Sequence, residues 1–268
     1  MNLPLSGDGF IEAGGLQLEY QCFGPPQSAS LTLVLLHEGL GCVAMWRDFP
    51  ARLAQHTGGG VLVYSRAGYG GSDEALLPRP THYMHEEATE VLPVVLQKLG
   101  IKKCLLIGHS DGATIAAIHI GSQNEFIVRG AVLIAPHFFA EDISIAAIKQ
   151  AKQSYETGDL RARLARYHKA VDCAFYGWND VWLSADFKHW NVSDVIDYFR
   201  VPVLGIQGRE DQYGTLAQLT EIEQRSYAPF ESLIIEHCGH SPHIEQPQQT
   251  LDAIVDFNRR LMAMESLA

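Results

Sequence analysis

The sequence predicts an α/β fold: a mostly parallel sheet covered by helices on both faces, interrupted by one helical insertion. Three observations predict it. Short apolar runs closed by Gly or Pro take turns with longer stretches of helical period. Most of these runs are apolar throughout, as strands buried on both faces are. The alternation breaks once, between 140 and 199, where helical patterns continue without a convincing buried strand.

Taken in order, residues 16–23 alternate apolar and polar side chains and read as a half-buried antiparallel strand near the sheet edge. The β-rich runs 31–36, 61–64, 104–107, 131–134, 201–206 and 233–235 read as core strands. Helical stretches at about 44–56, 82–99, 111–120, 214–225 and 247–262 lie between or after them. Strand and helix in alternation imply a parallel sheet in three layers. The insertion is expected to form a cap over the C-terminal edge of the strands, the edge where open α/β sheets bind ligands. The expected organisation is a core of 1–139 and 200–268 with a helical cap at 140–199.

A chain of 268 residues with 47% apolar and 19% charged residues is of globular composition. With 20 Lys and Arg against 31 Asp and Glu, its net charge is −11, which argues against nucleic acid or an anionic membrane surface as partner. Cys22, Cys42, Cys104, Cys173 and Cys238 are scattered singly, which fits neither a disulfide framework nor a zinc site. The first residues lack the pattern of a signal peptide, and no apolar run reaches a membrane span. The expectation is a cytoplasmic protein that acts on a small molecule as monomer or homodimer, without cofactor or metal.

Gly108-His109-Ser110-Asp111-Gly112 follows the run 104–107 and opens the helical stretch 111–120. This is G-x-S-x-G in the strand–turn–helix setting that gives the motif chemical meaning. A turn so tight needs small residues two before and two after the serine, whose own strained backbone pushes its oxygen outward. The plain structural alternative is a helix start capped by Ser110.

On these residues the chain resembles the α/β-hydrolase superfamily, whose order is nucleophile, acid, base. Gly208-Arg209-Glu210-Asp211 stands where that superfamily carries its acid as G-x-x-D. Gly239-His240, continuing to Glu245-Gln246-Pro247, matches its G-H-x-x-x-x-E-x-P phrase. The resemblance covers nearly the whole chain outside the cap and implies an eight-stranded, mostly parallel sheet. It also implies a catalytic triad of Ser110, Asp211 and His240. A serine hydroxyl is a poor nucleophile, so His240 would accept its proton and Asp211 would orient the imidazole. Glu210 and His243 are the second choices for acid and base.

His37-Glu38-Gly39-Leu40-Gly41, followed by Trp46, stands where the superfamily commonly has His-Gly-x-x-Gly. That loop and the residue after the nucleophile supply backbone N–H groups to the oxyanion, here Gly39 and Asp111. Glu38 replaces a usual glycine, which leaves open whether Glu38 or Gly39 presents the amide. His37, expected to brace the loop, is grouped with Glu38, Trp178 and Trp182 as substrate-contacting residues. Glu38 and Asp111 either turn outward into structural hydrogen bonds or place carboxylates near the nucleophile, favouring a polar or cationic group or holding a water.

The resemblance implies a serine hydrolase that cleaves a small carboxylic ester or thioester through an acyl-enzyme. Alternatives are a C–C bond hydrolase acting on a vinylogous diketone, a cofactor-free perhydrolase or haloperoxidase, and a ligand receptor on the same fold. Branches with a carboxylate nucleophile place it third in the elbow, where Ser110 stands here. Arg66-Ala67-Gly68-Tyr69-Gly70-Gly71-Ser72-Asp73 lacks a P-loop lysine and resembles the superfamily's structural loop after the fourth strand. His82 and His85 lack the H-E-x-x-H pattern of a zinc site. Lys149, Lys152, Arg161, Arg163, Arg166 and Lys169 make the first half of the insertion basic, either as a solvated face or as a rim for anions.

Overall fold

Eight strands form one sheet in the order β1-β2-β4-β3-β5-β6-β7-β8. They are β1 (Gly7–Ala13), β2 (Leu16–Phe23), β3 (Thr32–Leu36), β4 (Val61–Tyr64), β5 (Cys104–His109), β6 (Val128–Ile134), β7 (Val203–Gly208) and β8 (Phe230–Ile235). The computed structural model describes residues 7–25, 31–122 and 126–265. β1 and β2 pair antiparallel, β2 joins β4 antiparallel, and every pairing from β4 to β8 is parallel. This is the α/β-hydrolase sheet that the motifs imply.

The period of two along each strand builds two apolar layers. Leu33, Leu35, Leu105, Ile107, Val132 and Ile134 face one side, against α1 (Phe49–Thr57) and α10 (Pro247–Glu265). Val34, Leu36, Leu106, Ala131 and Leu133 face the other. That side is covered by α2 (Tyr83–Glu86), α3 (Leu92–Lys98) and α4 (Asp111–Ser122). The helix α8 (Ala217–Arg225) lies between β7 and β8, and the short α9 (Pro242–Glu245) precedes α10.

Two local expectations are corrected. The stretch 44–56 is not one helix: a 3-10 turn, Val43–Trp46, ends where Arg47 takes φ 54°, and α1 restarts with Pro50 in its first turn. Proline suits a helix start and not a helix interior, so the break falls where the chain has Phe49-Pro50. The stretch 82–99 is helical but widens into a π turn, Glu87–Val91, between α2 and α3. Pro93 follows at the start of α3, lacking an N–H to continue the ladder, and the π turn absorbs that interruption. β1 was not foreseen.

Between β6 and β7 lie α5 (Asp142–Thr157), α6 (Leu160–Leu164), α7 (Val171–Trp182) and two 3-10 turns, Asp186–His189 and Ser193–Tyr198. The apolar side chains here, including Ile148, Phe175, Trp178, Trp182 and Phe187, belong to the same cluster as Val34 and Leu133 of the sheet. Tyr155 stacks on Phe175 at 3.7 Å and Phe187 on Trp190 at 4.9 Å, so most of the aromatics here pack on one another. The second 3-10 turn rests on the flank of α4, where a Cβ on Gly121 would lie 2.4 Å from the Val195 carbonyl oxygen. In the basic first half, Arg161 pairs with Asp172, Arg163 with Asp159 and Lys152 with Asp180, which neutralises half of the six cations.

Candidate active site

Ser110 sits at the junction of β5 and α4 with φ 53°, a left-handed conformation that L-residues adopt at a cost. Its neighbours explain how the turn closes. A Cβ on Gly108 would lie 2.2 Å from the Gly112 carbonyl oxygen, and one on Gly112 would lie 2.0 Å from that of Leu36. The turn is thus pressed against itself and against the end of β3, leaving space only for hydrogen at both positions. Its backbone is tied by the Ser110 N–H donating to the Ile134 carbonyl at 2.9 Å.

Asp211 follows β7 and His240 follows β8, so parallel neighbours deliver both to the same sheet edge. The His240 Nδ1–H donates to the Asp211 carboxylate, 2.9 Å from each oxygen. Asp211 also accepts the N–H groups of Tyr213 at 2.8 Å and Gly214 at 3.3 Å, and the Gln207 side-chain amide at 3.3 Å. Burial alone would raise the Asp211 pKa, but the His240 hydrogen bond and charge overcome it and hold the group below its usual value. With Nδ1 so engaged, Nε2 is the nitrogen left for a partner. Ser110 and His240 line one cavity of about 130 Å³. Glu210 instead faces the exposed His237, and His243 is buried against Trp46 and His109 away from Asp211.

The loop after β3 passes over this cavity. Glu38, Gly39 and Leu40 line it, and Trp178 of α7 lies so close over Gly39 that a Cβ there would be 2.3 Å from the indole nitrogen. Arg66 fastens the loop from behind, its guanidinium donating to the carbonyls of His37 and Glu38. The grouping of His37 with the substrate-contacting residues is corrected. The ring is fully buried outside the cavity lining, with Nδ1–H donating to the Glu38 carbonyl at 2.7 Å and Nε2 accepting the Arg66 N–H at 3.0 Å. Burial, reinforced by the nearby Arg66 charge, pushes its pKa well below the usual histidine value, so the brace is neutral.

The two suspected carboxylates are both at the cavity. The Glu38 side chain is 22% exposed, its Oε2 is 3.5 Å from the His109 Nδ1, and it curls over Gly41. Burial opposes its ionisation, yet the facing His109 outweighs burial and draws the Glu38 pKa down. Asp111 is wholly buried, accepts the Tyr83 hydroxyl at 2.5 Å and lies 3.9 Å from Arg66. Tyr83 in turn accepts the Trp182 indole N–H at 3.1 Å, linking α7 to the residue after the serine. Here burial wins and the Asp111 pKa is raised despite Arg66. The backbone N–H of Asp111, first of α4, is a helix-start donor without an intrahelical acceptor.

Trp178 and Trp182 line the cavity. Ser144, His137 and Tyr213 line it as well and were missed. His137 follows β6 at the sheet's C-terminal edge, a position that could have been flagged from strand order alone. Burial, aided by the neighbouring His240, lowers its pKa to about 3, so it stands neutral.

A mostly parallel eight-stranded sheet with a serine at this strand-to-helix turn defines an α/β hydrolase. A model of the alpha/beta hydrolase family matches residues 33–253, and the chain belongs to that family. It is similar to the sn-1-specific diacylglycerol lipase ABHD11 of Danio rerio, with 24% identity over 93% of this chain and 85% of the relative. It also resembles epoxide hydrolase 3 of Xenopus tropicalis, at 22% identity over 92% of this chain and 76% of that protein. Among solved structures, the proline iminopeptidase of Mycobacterium smegmatis superposes with a TM-score of 0.76 and 18% identity, covering 95% of this chain and 98% of that one.

Proposed function

We propose that this hydrolase cleaves a small carboxylic ester or thioester through an acyl-enzyme on Ser110. The observation that carries the reading is the His240–Asp211 pair, joined at 2.9 Å and sharing a cavity with the strained Ser110. In the reaction, His240 Nε2 takes the hydroxyl proton as Ser110 Oγ bonds to the substrate carbonyl carbon. Asp211 keeps the ring in the tautomer that allows this and stabilises the imidazolium formed. The backbone N–H groups of Gly39 and Asp111 receive the oxyanion. His240 then returns the proton to the departing alkoxide or thiolate, and water, deprotonated by the same histidine, releases the acid.

A serine at the third place of the turn favours acyl transfer over the alkyl-carboxylate chemistry of epoxide-opening relatives. The cavity lining includes His109 and His137 but neither Lys nor Arg, so the carbon–carbon hydrolase stays the second reading. The partition into a core of 1–139 and 200–268 with a cap at 140–199 is part of the same proposal, as is action in the cytoplasm as monomer or homodimer. No helix among the described residues is long and apolar enough to cross a membrane. The test is labelling with a fluorophosphonate and burst kinetics with p-nitrophenyl acetate. Wild-type protein is expected to label on Ser110, and Ser110→Ala to lose label and burst together. An unlabelled wild-type protein would refute the assignment.

A further inference from the structure

Glu38 is a carboxylate in an enclosed site with too few donors. The polar side chain facing it is the His109 ring, with Nδ1 3.5 Å from Oε2, longer than a hydrogen bond. The opposite nitrogen of that ring, Nε2, is 2.8 Å from the His240 carbonyl oxygen and must be the N–H that donates to it. The ring is therefore fixed in place and cannot swing closer to satisfy Glu38. An ionised carboxylate has about four acceptor sites, and leaving them empty in a confined cavity is costly. Glu38, its side chain 22% exposed, lines the same cavity as Ser110.

The local packing is built around this carboxylate. A Cβ on Gly41 would lie 2.2 Å from Oε2 and 2.5 Å from Cδ, so the side chain fills the space a larger residue there would take. A second carboxylate, Asp111, lines the same cavity, and its buried Oδ1 has no hydrogen-bond partner. Arg66, its counter-charge, stands behind the oxyanion loop and outside the lining. The space of about 130 Å³ holds roughly four waters' worth of ligand, enough for a short acyl group.

We propose that Glu38 determines specificity: its carboxylate takes a protonated amine carried by the acyl group close to the scissile carbonyl, and it turns away acyl groups ending in a carboxylate. This rests on the serine-hydrolase reading of Ser110. Selection arises because an ammonium supplies the donors that Glu38 lacks, whereas a methyl group leaves it unpaired and a carboxylate repels it.

The test compares three ethyl esters of similar acyl length: ethyl butanoate, ethyl 3-aminopropanoate and monoethyl succinate. The wild-type kcat/KM is expected to favour the ammonium ester over butanoate by about 10-fold or more, with the succinate ester slowest, as a charged hydrogen bond implies. In Glu38→Gln the ammonium-to-butanoate ratio should fall close to one, and Glu38→Asp should restore part of it. The wild-type series needs no variant to fold, so the preference stands or falls by itself. Equal rates on the ammonium and neutral esters, or a preference that survives Glu38→Gln, would overturn the proposal while leaving a working Ser110. Turnover of none of the three would overturn it too, and fluorophosphonate labelling of Ser110 then shows whether the hydrolase reading falls with it.

Discussion

Tyr83 shows how much of this site rests on single atoms. Its hydroxyl donates to Asp111 and accepts from Trp182, so one oxygen joins α7 to the start of α4. Tyr83→Phe keeps the ring in its buried place but strands the Trp182 N–H and one Asp111 oxygen without partners. An unsatisfied buried group costs about 1–3 kcal/mol, so urea unfolding should show a loss of about 2–3 kcal/mol. A loss under about 0.5 kcal/mol would mean that the chain contributes nothing to holding α7. Tyr83 could not be found in the sequence, and the contrast with Ser110 says why. Ser110, Asp211 and His240 stand in short phrases with fixed glycines, because the turns that present them admit few residues. Tyr83 and Tyr213 occupy ordinary helix and loop positions. They acquire partners only when distant strands and helices converge, which no local pattern encodes.

Among the elements, those buried on both faces were legible and those with one wet face were less so. The runs for β3 to β7 announced themselves because nearly every residue there is apolar, while β1 opens Gly7-Asp8-Gly9 and buries only Ile11 and Ala13. Weak strand formers on an exposed edge leave no pattern to read. The split near 44–56 had a visible signal in Phe49-Pro50, outweighed by the helical period around it. The tightest element is the turn between β5 and α4. At Gly112 the obstacle to a side chain is the Leu36 backbone, which cannot rotate away. Gly112→Ala should therefore force the end of β3 and the start of α4 apart, costing about 3 kcal/mol. For a chain of this size that lowers the melting temperature by roughly 6–12 °C. It should also slow Ser110 labelling. A variant that melts and labels like wild type would contradict the close packing described.

At the scale of the molecule, the net charge of −11 conceals where the buried charge lies. The titrating interior is dominated by histidines: His37, His137, His168 and His243 are each pushed below the usual value, with burial the leading cause. His168 shows why protonation would be resisted, since it accepts the Gly70 N–H at 3.0 Å and donates to the Leu40 carbonyl at 3.0 Å. An added proton would remove the acceptor and break the tie between the inserted segment and the oxyanion loop. Unfolded, each of the four takes a proton below about pH 6.5, while the folded chain takes them only at lower pH, so stability falls as pH falls. A histidine that stays neutral contributes about 1.4 kcal/mol between pH 7.5 and 5.5, so His37, His137 and His243, held furthest below the usual value, contribute about 4 kcal/mol together, and His168 adds in the same sense. Asp111 and Glu87 act in the opposite sense. Their folded values are raised by burial, so they gain protons before the unfolded chain does and return part of the loss. The net expectation is a melting temperature lower by on the order of 10 °C at pH 5.5 than at pH 7.5. Scanning calorimetry across that range decides it. His168→Gln can replace the donor and acceptor without titrating, so it should reduce the pH dependence; a flat wild-type profile would show that these histidines do not stay neutral in the fold.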